Sequence, residues 1–141
     1  IALVMFTGYL IQNRFLSVLV ILVSQVVSDL YLGIYSSMIF VYAAYISIAL
    51  LSPIIMKKMN TKSVVLSSVI SPSIFFIISN FGVWLIGSTY TFNLSGLIAC
   101  YAAGIPFFDE SLISTVLFAL TIFSIMKLIT KETKEIIFIK K

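Results

Sequence analysis

The sequence predicts an all-α integral membrane protein, and three observations carry that prediction. Of 141 residues, 61% are hydrophobic and only 10% are charged, whereas a soluble domain carries about 25% charge. The apolar residues gather into six blocks of helical character, 1–11, 15–33, 38–56, 64–88, 94–108 and 112–129, and inside lipid only helices or closed barrels satisfy their own backbone. The nine cations, Arg14, Lys57, Lys58, Lys62, Lys127, Lys131, Lys134, Lys140 and Lys141, stand between blocks, at the end of the last block or in the tail. The net charge of +4 therefore fits a membrane face rather than a nucleic-acid surface.

Each block has its own reading. Block 1–11 is too short to span ~30 Å of hydrocarbon at ~1.5 Å per residue. It reads as the end of a helix that begins upstream of Ile1, and no basic region or small-residue cleavage site marks it as a signal peptide. Block 15–33 stops at Gly33, a residue that ends helices. Block 38–56 carries Pro53 near its end and block 64–88 carries Pro72 in its interior, where a missing backbone donor predicts a bend. Block 94–108 is only 15 residues long and rich in Gly, Ala and Ser. It is expected to stop at Pro106 and to dip in and out of one face, because lengths of ~10–14 apolar residues suit re-entrant or interfacial segments. Block 112–129 spans again. Residues 130–141 form a tail that either prolongs this helix or lies on the membrane surface.

The cations decide the threading. If all six blocks crossed, Arg14 and the Lys57–Lys62 loop would face one side and the five later lysines the other. If block 94–108 does not cross, all nine share one side, as short cytoplasmic loops rich in Lys and Arg require. Both this loop and the C-terminus are then expected in the cytoplasm of a bacterial inner membrane. Asp109 and Glu110 fall in an outer loop, and Tyr31, Tyr35, Trp84 and Tyr90 form an outer aromatic belt.

Chemistry-bearing residues are few. With no His and a single Cys, Cys100, no internal disulfide or Cys/His zinc site is available. No nucleophile–base pair is visible, so an enzyme and a cofactor are not expected. Asp29 is the one carboxylate well inside a spanning block, where placement at the bilayer centre costs ~2.5–3.5 kcal/mol on insertion scales. Gln25 lies one turn away on the same face. Asp29 reads either as a ligand-binding group or as a hydrated helix end capped by Ser36 or Ser37. Asn80 and Trp84, four apart, offer hydrogen bonds and a flat stacking surface to a polar or heteroaromatic ligand. Alternatively, Asn80 is interhelical glue. Tyr90 and Tyr101 complete the candidate set. Gly96, Cys100 and Gly104 form a small-residue stripe suited to close helix packing, and Tyr9, Tyr42 and Tyr45 read as core or belt residues.

Four runs carry a resemblance: Ser28-Asp29-Leu30 with Leu32-Gly33, Ser79-Asn80-Phe81-Gly82-Val83-Trp84-Leu85, Gly96-Leu97 with Ala99-Cys100-Tyr101, and Ile105-Pro106-Phe107-Phe108. Over nearly its whole length the chain resembles an uncharacterised family of small bacterial membrane proteins. That family is similar in layout to the substrate-binding S components of energy-coupling-factor transporters. The resemblance implies a six-helix bundle with its first helix upstream of this chain and a lid in the outer loop, 89–111. It implies uptake of a small water-soluble metabolite or vitamin, with a transmembrane coupling subunit and ATPases as partners. The alternative is a structural or accessory subunit of a larger membrane complex.

Overall fold

Asparagines open three of the helices. Asn13 Oδ1 accepts the backbone N–H of Leu16 at 3.0 Å, Asn60 Oδ1 that of Ser63 at 2.9 Å, and Asn93 Oδ1 that of Gly96 at 2.8 Å. Each satisfies one donor that a helix start leaves free, an arrangement worth ~1 kcal/mol. The structure, a computed structural model, describes the backbone of residues 1–139 and the side chains of residues 1–130. Within that range it is all-helical: α1 (Ala2–Leu10), α2 (Arg14–Leu32), α3 (Met38–Ile55), α4 (Thr61–Ile86) and α5 (Leu94–Ile139). Four of these, α2 to α5, are long and apolar enough to cross a membrane. α2 closes at Gly33, whose φ of 104° suits a residue without a Cβ; its N–H bonds back to the carbonyl of Asp29 at 2.8 Å.

The main departure from the sequence reading lies at the C-terminal end. Instead of a re-entrant segment 94–108, a polar break at 109–111 and a separate span 112–129, the chain runs as one helix from Leu94 to Ile139, so that the stretch from residue 130 prolongs the last helix, one of its two expected fates. Pro106 does not end it. In lipid, the backbone has no water to turn to, so continuing the helix through one missing hydrogen bond costs less than exposing a loop. One buried stripe threads this helix: Gly96, Cys100, Gly104, Thr115 and Ala119, at spacings that are multiples of about one turn. The small-residue stripe legible in the sequence is therefore the upper part of a longer packing edge. The described cations still share one side, but by a different route. A single long α5 returns to the end from which α2 departs, so Arg14, Lys57, Lys58, Lys62 and Lys127 lie at one end of the bundle.

α3 is the hub. It packs against α1, α2 and α4, while α5 lies along α4 and touches α1. α2 touches α1 and α3 and neither α4 nor α5. The core gathers Met5 and Phe6 from α1, Ile48 from α3, Val64 from α4, Ala119 from α5 and Met56 just past α3. Small residues bring the helices together, as expected where lipid removes the hydrophobic drive between spans. Gly8 lies against the Ala49 backbone, and Gly82 against the Phe40 ring. Ser52, Ser67, Ser68 and Ser71 are buried along the α3–α4 side; Ser52 Oγ donates to the carbonyl of Ile48 at 2.6 Å and Ser68 Oγ to that of Val65 at 2.8 Å. Arg14 Nη1 donates to the carbonyl of Leu50 at 3.1 Å. This bond ties the start of α2 to the last turns of α3, where the helix dipole favours a cation.

Candidate functional site

The six residues singled out in the sequence fall into two groups. Gln25 and Asp29 are on α2. Asn80, Trp84, Tyr90 and Tyr101 belong to α4, the following connection and the N-terminal part of α5. Because α2 and α4 do not touch, α3 stands between the two groups, and the structure does not bring them onto one surface.

The Asp29 group contains unmet hydrogen-bonding capacity. Asp29 is only 4% exposed. Gln25 Nε2 donates to its Oδ1 across a long 3.4 Å, while Oδ2 is buried without a partner. The Tyr42 hydroxyl, one turn into α3, faces the same carboxylate as a hydrogen-bonding neighbour, although neither it nor Oδ2 has a partner at full bonding distance. Tyr35, in the connection after α2, lies close enough to feel Asp29. Burial pushes its phenol above its ordinary range and the Asp29 charge adds to the shift. Among the described residues no cation reaches Asp29; Arg14, Lys57, Lys58, Lys62 and Lys127 stand at the opposite end of the bundle. A buried carboxylate oxygen and a buried hydroxyl left unpaired in low dielectric is a costly arrangement. It suits a site that accepts a hydrogen-bond donor or a positive charge. Sequence reasoning missed Tyr42, having read it as a core or belt residue. Its place in the first turn and a half of α3, opposite the last turns of α2, was the available signal.

The second group is internally satisfied. Asn80 Nδ2 donates to the carbonyl of Phe76 at 2.9 Å, and Asn80 Oδ1 lies against the Gly104 backbone of α5. Cys100 Sγ donates to the carbonyl of Asn80 at 3.4 Å. Tyr101 OH donates to the carbonyl of Ile77 at 2.7 Å, and its ring meets Phe76 edge-on at 5.5 Å. Trp84 Nε1 donates to the carbonyl of Thr91 at 3.1 Å, and its indole stacks on Phe92 with centroids 4.5 Å apart. Tyr90 is half-buried in the same connection. The cavity at Asn80, lined also by Phe76, Gly104 and Phe108, holds about 110 Å³, below the ~300 Å³ at which small-molecule sites begin. This geometry is that of interhelical glue. Replacing Tyr101 with Phe is expected to lower stability by ~0.6–1.5 kcal/mol, the range for one such hydrogen bond between helices, while leaving ring packing intact. Equilibrium unfolding in detergent checks it.

A cleft of about 590 Å³ opens at the cation-bearing end, lined by Met59, Asn60, Thr61, Phe123, Met126, Lys127 and Thr130. It is far from the candidate residues and beside the loops that carry Lys57, Lys58 and Lys62. Among the described residues no group of three or more Cys, Asp or Glu could hold a metal ion.

A family of unknown function matches the chain over residues 1–136. The chain belongs to the family of unknown function DUF6580. No curated protein and no solved structure matches it. For this DUF6580 member the geometry is thus the main guide to chemistry. Among the described residues four buried polar atoms lack a partner, Ser17 Oγ, Ser67 Oγ, Asp29 Oδ2 and Tyr42 OH; the last two face one another, and one of them is a carboxylate oxygen.

Proposed function

We propose that this DUF6580 protein is a substrate-binding membrane subunit for uptake of a small water-soluble metabolite, dependent on a separate energising module. The observation that carries this reading is the pair of buried, unpartnered oxygens, Asp29 Oδ2 and Tyr42 OH. They sit at the end of the bundle away from the cations, which is the outer end if the Lys- and Arg-bearing loops are cytoplasmic in a bacterial inner membrane. In this reading Asp29 accepts hydrogen bonds from the ligand or pairs with its positive charge. Gln25, Tyr35 and Tyr42 complete the polar wall. Residues 94–108, as part of α5, support α4 rather than acting as a lid. The layout expected of S components supports the reading, with consecutive spans alternating direction and all cationic loops on one side.

A second reading, a structural or accessory subunit of a larger membrane complex, is favoured by the α4–α5 seam. There Asn80, Trp84, Cys100 and Tyr101 all bond within the chain. The two readings separate in one experiment. The full-length protein, purified in detergent, is analysed by native mass spectrometry for retained small molecules, then heated with a panel of vitamins and small amines. The expected result is a thermal shift for at least one cationic or donor-rich compound, lost in Asp29→Asn. No retained compound and no shift across the panel, with stable retention of other membrane subunits, supports the second reading.

A further inference from the structure

α5 carries two adjacent carboxylates, Asp109 and Glu110, at the level of the middle of α4, a helix long and apolar enough to cross a membrane. Phe108 packs on Phe76 with ring centroids 4.9 Å apart, and Phe107, Phe108 and Ser111 share a small cavity with Pro72 and Phe75. Pro72 to Phe76 is the middle of α4, which runs from Thr61 to Ile86. Asp109 and Glu110 therefore stand level with the centre of a spanning helix. α5 itself gives the same depth: about 22 Å of helix separates Asp109 from Leu94, and about 26 Å separates Glu110 from Lys127. Both side chains are exposed on the bundle surface. Among the described residues neither has a side-chain partner.

The surroundings are those of a helix-packing face. Asp109 lies on a stripe of exposed residues at helical spacing, Ile105 at 51%, Ile113 at 61% and Leu117 at 61%. Ala102, on the same stripe, lets another backbone come close. Toward the outer end this stripe borders an apolar groove of about 490 Å³ between α4 and α5. Carboxylates at mid-span almost always face a partner or a wet cavity, and this face is open and mostly apolar, with the exposed Ser114 one turn from Glu110 as a polar exception.

We propose that this face of α5 docks a transmembrane helix of another protein that carries a Lys or Arg at mid-depth. The described cations of a second copy do not neutralise the pair. The cations with described side chains lie at one end of the bundle, so neither a parallel nor an antiparallel copy places one of them at the centre. Lipid headgroups do not reach that depth. Charge complementarity with close helix packing is a well-attested way of choosing membrane partners. The inference does not depend on the ligand-binding reading, because a coupling subunit and a larger complex would both supply such a helix.

The test uses leucine-rich probe helices reconstituted with the full-length protein in lipid bilayers, with association read by energy transfer. One probe has a single central Lys, one has its Lys at the end, and one has none. The expected result is at least tenfold tighter association of the central-Lys probe than of the other two. The double variant Asp109→Asn, Glu110→Gln removes that preference. Equal association of all three probes with the wild-type protein overturns the proposal, whether or not the variant folds. So does self-association that requires the carboxylates and excludes the probe. In a second measurement, Asp109→Cys is exposed to a membrane-impermeant maleimide. Protection relative to Ser88→Cys, at an exposed position in the connection before α5, is expected. Equally fast labelling would put the carboxylates in water and overturn the proposal.

Discussion

Replacing Gly8 with Leu is expected to destabilise the protein by about 3 kcal/mol, at the upper end of overpacking effects. A Cβ at Gly8 would stand 2.8 Å from Ala49 Cα and 2.9 Å from its carbonyl carbon, and the Ala49 carbonyl oxygen is closer still. These are backbone atoms of α3, which also holds α2 and α4, so they cannot move aside as a side-chain tip would. Relief requires α1 to lift off α3, exposing Met5 and Phe6, which are otherwise 0% and 3% exposed. Reversible unfolding in mixed detergent micelles measures the loss. Leu3→Ala, at a position 72% exposed, is the control and is expected to change stability by less than ~0.5 kcal/mol. A Gly8→Leu protein as stable as the wild type would refute the close α1–α3 approach.

Asp29→Asn is expected to act in the opposite direction on the ligand-free protein, stabilising it by ~1–2 kcal/mol. The carboxylate is buried, Oδ2 has no partner at full bonding distance, and the Tyr42 hydroxyl is the hydrogen-bonding neighbour that faces it. Removing the charge removes a desolvation penalty while keeping an acceptor for Gln25. The gain should fall short of the ~2.5–3.5 kcal/mol assigned to a central aspartate, because Asp29 lies near a helix end. Unfolding of the two proteins in the same detergent reads the difference directly. Under the proposed function the same change abolishes the ligand-induced thermal shift, the trade of stability against function common at binding sites. A destabilised Asp29→Asn protein would mean that the carboxylate is already satisfied within the bundle.

Much of this architecture is written in residue types whose physics is local. Runs of apolar residues broken at Gln12-Asn13-Arg14, at Ile34–Ser37 and at Lys57–Ser63 mark α2, α3 and α4 to within a few residues: the first and third breaks supply an asparagine cap and cations that a span cannot hold, and the second follows the helix stop at Gly33. α5 was less legible. Pro106 and the trio Asp109-Glu110-Ser111 are loop signals in water, where an interrupted helix is rehydrated. In lipid the same residues stay helical, since no alternative partner exists for the backbone. The α4–α5 bonds of Asn80 and Tyr101 were visible only as an ambiguity, ligand or glue. What resolves it is register between two helices 24 residues apart for Tyr101 and Ile77, and a single sequence does not encode that register in any local pattern. Tyr42 was hidden for a related reason: an aromatic on an apolar helix looks like filler until its height relative to Asp29 is known.

The peripheral position of α2 has a consequence for how the bundle comes apart. This helix is gripped by α1 near its beginning and by α3 along its side, and its buried residues are Ser17, Ile21 and Asp29. The α4–α5 pair, by contrast, shares the most extensive helix–helix contact among the described residues. Thermal motion should therefore find its softest path by swinging the far end of α2 outward, a hinge movement pivoting about the Arg14–Leu50 bond. Such a swing would admit solvent to the aspartate before any other buried group, making the least anchored wall of the molecule also its doorway.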